Sequence, residues 1–185
     1  MDYKIVNLVA SSALGTTLDL YNLATAITEV EYEPEQFPGA ILKIAEPKVS
    51  LLLFKNGKII VSGAASEKDI RTAIKKAMVI INEVQPDVKI KTKINYEIVN
   101  LVATSTLGKQ INLFEVAIKL DNIEYEPDQF PGAIARLYDP KVTILLFKNR
   151  KLICAGAKSE EDIVKGLNKL KRRLGASSKS KKWFF

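Results

Sequence analysis

The chain is written twice. Ile5-Val6-Asn7-Leu8-Val9-Ala10 returns as Ile98-Val99-Asn100-Leu101-Val102-Ala103, and the eleven residues from Glu31 to Ile41 return from Glu124 to Ile134. Lys48 to Asn56 returns from Lys141 to Asn149. The offset is 93 each time, without a gap, and 38 of the 72 positions in 5–76 match those in 98–169. Units of about 80–90 residues are too long for a solenoid repeat. The pattern predicts two similar halves related by a pseudo-two-fold, an intramolecular form of an isologous dimer. The expected organisation is a first repeat over 1–92, a second over 93–175 and a basic flexible tail over 176–185.

Each half reads alike. Residues 3–12 form a β-branched strand, and the apolar spacing from Leu18 to Ile27 suits a short helix. Strands are expected near Val30–Tyr32, Ala40–Ala45, Val49–Lys55 and Lys58–Ser62, with Asn56-Gly57 predicting a type I′ hairpin. The second half has Asn149-Arg150 there, a weaker turn signal. Ser66, with Asp69 three residues on, predicts a capped helix running to about Glu83.

An antiparallel sheet with one solvated face alternates apolar and polar residues. These strands do not: Val49-Ser50-Leu51-Leu52-Leu53-Phe54 and Ile59-Ile60-Val61 are apolar at both parities. Two helices per half cover one face. The other face is an apolar surface for a ligand, or is buried by a partner copy in an obligate homodimer.

Composition narrows the chemistry. There is no histidine and one cysteine, Cys154. That excludes His-based acid–base catalysis, Ser-His-Asp and Cys-His pairs, His-ligated metals, an internal disulfide and a cysteine zinc cluster. No apolar run approaches the ~18–20 residues of a membrane span, and the N-terminus lacks a secretory layout. The net charge of +7 is unevenly placed: residues 165–185 hold eight bases and no acid, whereas residues 1–164 hold 20 bases and 21 acids. The +7 therefore does not itself argue for a polyanionic partner. A duplicated enzyme or ligand-binding domain using Glu31, Glu33, Glu35 and their copies Glu124, Glu126, Asp128 is the competing reading. Beside Pro34 and Pro127, those acids read more simply as exposed loops. Cys154 lies in a strand and reads as a small buried residue.

The doubled Ile-Val-Asn-Leu-Val-Ala, Glu-Tyr-Glu-Pro-x-Gln-Phe-Pro-Gly-Ala-Ile, Pro-Lys-Val-x-x-Leu-Leu-Phe and Gly-Ala-x-Ser-Glu resemble the TATA-box-binding protein family across residues 3–174. Phe-Pro-Gly in both halves, and no long low-complexity N-terminal extension, resemble its archaeal members. The resemblance implies an α+β saddle: a ten-stranded curved antiparallel sheet with four helices on its convex face and DNA on its concave one. It implies a general transcription initiation factor, not an enzyme, that needs no cofactor or metal. Such a factor binds and bends A·T-rich double-stranded promoter DNA in the minor groove. It recruits transcription factor B and, through it, RNA polymerase, in the cytoplasm at the nucleoid.

Phe37, Phe54, Phe130 and Phe147 match the family's four intercalating phenylalanines. By themselves these residues read as wedges or as ordinary core aromatics. Asn7 and Asn100 interrupt apolar strands; their amides suit the acceptors of A·T pairs, or else they are bulge or edge residues. Val9, Val102, Leu52, Leu145, Ile60 and Ile153 match the apolar floor that presses on the groove. Ser62 and Thr104 match hydroxyl positions near the bases, and Ala155 lacks the hydroxyl expected opposite Ser62. Basic residues repeat in register: Lys43, Lys48, Lys55 and Lys58 against Arg136, Lys141, Lys148 and Lys151. The resemblance singles out Lys43, Arg136, Lys58 and Lys151 for phosphate contact, with Lys48 and Lys141 second. It implies that Glu126, Asp128 and Gln129 form the loop docked by transcription factor B.

Overall fold

The computed structural model describes residues 2–88, 90 and 93–179. They form two compact units, Val6–Val99 and Met1–Ile5 with Asn100–Phe185.

In the unit Val6–Val99 the chain runs through β1 (Tyr3–Ala13, from Val6 on), α1 (Leu20–Ala26), β2 (Val30–Glu31), β3 (Ala40–Ile44), β4 (Val49–Leu53), β5 (Lys58–Ala64) and α2 (Glu67–Val84). The strands pair antiparallel in the order β2-β3-β4-β5-β1. The second unit repeats this with β6 (Tyr96–Thr106), α3 (Leu113–Lys119), β7 (Ile123–Glu124), β8 (Ala133–Tyr138), β9 (Lys141–Leu146), β10 (Lys151–Ala157) and α4 (Glu160–Lys179). Its order is β7-β8-β9-β10-β6. Each unit thus supplies five of the ten strands and two of the four helices that the resemblance implies.

Local chemistry sets the helix starts. Asp19 caps α1 by accepting from Asn22 N at 3.0 Å, and Asn112 does the same for α3. Ser66 and Asp69 close a capping box on α2, and at the start of α4 Ser159 Oγ accepts from Asp162 N while the Asp162 carboxylate accepts from Lys158 N. Ile70, Ala73, Ile74, Ala77 and Ile81 recur at helical spacing, and all five are buried as α2 packs on β4 and β5. Beneath it lie Leu8, Ala10, Leu51, Leu53, Ile59 and Val61, all at one strand parity and all buried. Residues of the opposite parity, Val9, Leu52 and Ile60 among them, are only half-buried.

Two local expectations are corrected. The hairpin after β4 is not type I′: the positive φ falls on Gly57 (+75°) and not on Asn56. Gly57 N donates to Phe54 O at 2.8 Å while Phe54 N donates to Lys58 O, which is a three-residue loop ending in a left-handed residue. Arg150 takes the same conformation (φ +71°) and the same bonds in the second unit, so the fold there overrides a side chain that disfavours it. α4 also runs on to Lys179, four residues into the stretch expected to be a tail. Gly175 weakens a helix but does not end one. The rest of that stretch, 180–185, lies outside the described residues.

Candidate functional site

The half-buried face of each sheet gathers the residues singled out from the sequence. In the unit Val6–Val99, Ile41 pairs with Leu52, Leu52 with Ile60 and Ile60 with Ser11, a continuous row across β3, β4, β5 and β1. A second row runs Lys43, Ser50, Ser62. The other unit repeats both: Ile134, Leu145, Ile153, Thr104, and Arg136, Thr143, Ala155, Val102. In each unit, then, an apolar row lies beside a row that starts from a base. Ile41 and Ile134 belong to the floor and were missed. Their parity with Lys43 and Arg136 was the signal that could have found them.

Asn7 and Asn100 stand at bulges. The β1–β5 register slips between Leu8 and Ala10, opposite Gly63, whose φ is +92°. A bulge leaves a backbone N–H without a ladder partner. Asn7 Oδ1 accepts from that Gly63 N at 2.9 Å, and Asn100 Oδ1 accepts from Gly156 N at 3.0 Å. With each oxygen committed, the amide nitrogen is the end left to act. Among the described residues neither Nδ2 has a hydrogen-bond partner, so each face presents an oriented donor. The bulge and groove readings of these asparagines are therefore compatible, since the bulge aims the amide.

The four phenylalanines form two pairs outside the core. Phe37 and Phe54 lie edge to face with centroids 5.8 Å apart, and Phe130 and Phe147 repeat this at 5.9 Å. All four are half-buried. Phe37 N and Phe130 N donate to Glu33 O and Glu126 O, which turns the chain just before each ring. Glycine makes room beneath: a Cβ on Gly39 would stand 2.7 Å from Phe37 Cε1 and 3.2 Å from Phe54 Cε1. Gly132 has the same relation to Phe130 and Phe147. Phe-Pro-Gly is thus a device for seating two rings on one glycine.

Lys43, Lys48, Lys58, Arg136, Lys141 and Lys151 are all exposed. Lys58 and Lys151 open β5 and β10 at the parity of Ile60 and Ile153, and Lys141 opens β9 at the parity of Leu145. Lys48 precedes β4 by one residue. Lys43 Nζ bonds Glu31 Oε1 at 2.6 Å, and Arg136 pairs with Glu124. The hydrogen bond from Arg136, and then its charge, holds the Glu124 carboxyl below the usual carboxylate range. Glu31 and Glu124 are accordingly strand residues in β2 and β7 that hold the outermost bases, and not part of an acidic loop. Exposed pairs like these contribute little to stability.

Glu126, Asp128 and Gln129 lie exposed in the turn that carries Phe130. Gln129 Nε2 donates to Glu126 Oε2, and Gln129 N donates to Glu126 O at 3.0 Å. Cys154 is fully buried, and burial, then the Asp162 charge, pushes its thiol up to about 11. Among the described residues no group of three or more Cys, Asp or Glu is placed to hold a metal. No described helix is long and apolar enough to cross a membrane.

A family model described as transcription factor TFIID, or TATA-binding protein, matches residues 2–84 and 95–176. The TATA-box-binding protein of Methanothermobacter thermautotrophicus is 46% identical over 174 residues, covering 94% of this chain and 95% of that one. That of Pyrobaculum aerophilum is 40% identical over 172 residues, 93% of this chain and 85% of its own length. A solved structure of Methanococcus jannaschii TBP, 41% identical, superposes with a TM-score of 0.87 over 95% of this chain and 99% of that chain.

Proposed function

Because the chain belongs to the TATA-binding protein family of transcription factors, we propose that it starts transcription by binding A·T-rich promoter duplexes in the minor groove and bending them with its phenylalanine pairs. No bond is made or broken. The carrying observation is the half-buried sheet face, present in each unit, with an apolar row flanked by a ring pair seated on glycine.

The proposed division of labour follows from the chemistry. The Nδ2 donors of Asn7 and Asn100 meet adenine N3 and thymine O2, the only groove acceptors an A·T pair offers. Val9, Leu52, Ile60, Val102, Leu145 and Ile153 form a floor on which a guanine amino group finds no acceptor. Ser62, next to the Gly63 that Asn7 holds, and Thr104, at the end of the row through Ile153, add polar contacts. Lys43, Lys48, Lys58, Arg136, Lys141 and Lys151 hold phosphates and fix the register without reading sequence. Each pair of rings opens a base step, and the unstacking, a few kcal/mol per step, is offset by the wider contact of bent DNA.

Replacing one central A·T pair by G·C is expected to weaken binding by about 5–100-fold, the usual range for a single mismatched pair. With six phosphate-contacting bases, log K against log salt should slope at about −5. Equal affinity for both duplexes, or a slope near zero, would contradict the reading.

In the same proposal Glu126, Asp128 and Gln129 are the contact for transcription factor B, which brings RNA polymerase to DNA at the nucleoid. Support comes from the exposure of this acidic turn and from the backbone bonds that hold it. Glu126→Lys should abolish the ternary complex in a mobility-shift assay while duplex binding persists. A ternary complex of unchanged strength would remove this contact from the account.

A further inference from the structure

A cavity of about 1100 Å³ opens in the unit formed by Met1–Ile5 and Asn100–Phe185. Its floor is apolar, made by Leu107, Ile111 and Leu174. Its rim carries Lys4, Lys109, Lys151 and Lys171, with Asp2 as the one acid of the lining. All four lysines are exposed, and among the described residues none has an ion-pair partner.

The repeat supplies an internal control. At offset 93, Lys4, Lys109 and Lys171 correspond to Glu97, Thr16 and Met78, and only Lys151 has a basic counterpart, Lys58. Three of the four rim charges are therefore not part of the duplicated set assigned to phosphates. The floor differs too. Leu14 and Leu18 are 2% exposed and Ile81 is 0%, whereas Leu107 and Leu174 are each 6% exposed and Ile111 is only half-buried. A volume of this size, apolar below and charged at its mouth, has the make-up of a binding site and not of a packing fault.

We propose that this cavity receives an acidic peptide segment of a partner protein, with an apolar side chain on the Leu107–Ile111–Leu174 floor and carboxylates on the lysine rim. Charge complementarity selects that occupant. A duplex backbone supplies phosphates but no apolar group to fill the floor. The chain's own residues 180–185 bring Lys181 and Lys182, which like charge disfavours beside four lysines.

The test is fluorescence anisotropy on the full chain without DNA, so its failure is separate from any failure of promoter binding. The probe is a labelled peptide alternating Asp with Leu and Phe. Controls replace Asp by Lys, or Leu and Phe by Ser. The probe should bind at micromolar concentration, and both controls should bind at least ~10-fold more weakly. Lys109→Glu/Lys171→Glu should weaken the probe at least ~10-fold while A·T duplex affinity stays within ~3-fold. Ile111→Ser tests the floor independently and should weaken the probe while leaving the melting midpoint nearly unchanged. The proposal is overturned by no binding of the probe, or by binding indifferent to both variants. It is also overturned if duplex affinity falls as far as peptide affinity, which would make this a nucleic-acid surface. A shift in the emission of Trp183, the sole tryptophan, caused by Ile111→Ser without peptide would make the chain's own end the occupant, and would overturn it too.

Discussion

Phe130→Ala together with Phe147→Ala is expected to weaken binding to an A·T-rich duplex by about 10²–10³-fold, equivalent to roughly 3–4 kcal/mol. The folded chain should lose far less. The two rings are half-buried and touch each other edge to face at 5.9 Å. Such a pair contributes about 0.5–1.5 kcal/mol beyond its area, and a partly exposed ring has little more burial to lose. A fully buried phenylalanine would cost about 3–5 kcal/mol on truncation. The core lies elsewhere, under α4 at the opposite strand parity, in residues such as Ile144, Leu146 and Leu152. The two roles therefore predict opposite balances. Wedges give a large fall in affinity with a melting midpoint lowered by only a few degrees. Core aromatics give a midpoint lowered by ~10 °C or more, with affinity restored once the chain is folded at low temperature. Titration of one duplex and thermal unfolding of the same preparation separate them.

Gly57→Ala is expected to be the most damaging single-methyl change in the turn beside Phe54. Gly57 sits at φ +75°, and a Cβ there would overlap the carbonyl oxygen of Thr16. The backbone cannot retreat without breaking two bonds: Gly57 N donates to Phe54 O at 2.8 Å, and Gly57 O accepts from Leu14 N at 2.9 Å. Strain at a left-handed site of about 1–2 kcal/mol, together with an overlap of roughly 1–3 kcal/mol, suggests a loss of about 3–4 kcal/mol. For a chain of this size that is a midpoint lowered by around 10 °C in a thermal melt. The second unit provides the reverse experiment. Arg150 holds the same conformation with a Cβ in place, so Arg150→Gly should raise the midpoint slightly. If Gly57→Ala melts as the unchanged chain does, the turn is not built as described.

Much of the fold was legible because the sequence states it twice. The offset of 93, the two strand parities and the Ser66–Asp69 box lead to five strands and two helices per unit, with boundaries within a few residues. Apolar residues at both parities also indicated a sheet face left without a helix, and Leu52, Ile60 and their copies lie on it. What stayed hidden depended on partners distant in the chain. Asn7 reads as an interruption until Gly63, 56 residues on, is found donating to it. The bulge that aims the amide is a register slip between strands, and no single strand records one. Glu31 reads as a loop acid until Lys43 is found bonded to it from the next strand. Asn56-Gly57 carries a two-residue turn signal, yet the ladder closes from Phe54 to Lys58 and makes three residues of it. The wedge role of the phenylalanines came from the resemblance. Spacing alone leaves them as core residues or wedges, and the ring pairs over Gly39 and Gly132 are visible only in three dimensions.

Energy transfer between dyes at the two ends of an A·T-rich duplex tests the central claim most directly. With the intact chain at saturation, transfer should rise well above that of the free duplex, because the inserted rings bend the DNA and bring its ends together. With Phe130→Ala/Phe147→Ala, raised to concentrations that again saturate the duplex, transfer should fall to between the intact and free values, because Phe37 and Phe54 still open their own step. Saturated binding of the intact chain with no change in transfer, or full transfer with the double variant, would contradict bending by these phenylalanines.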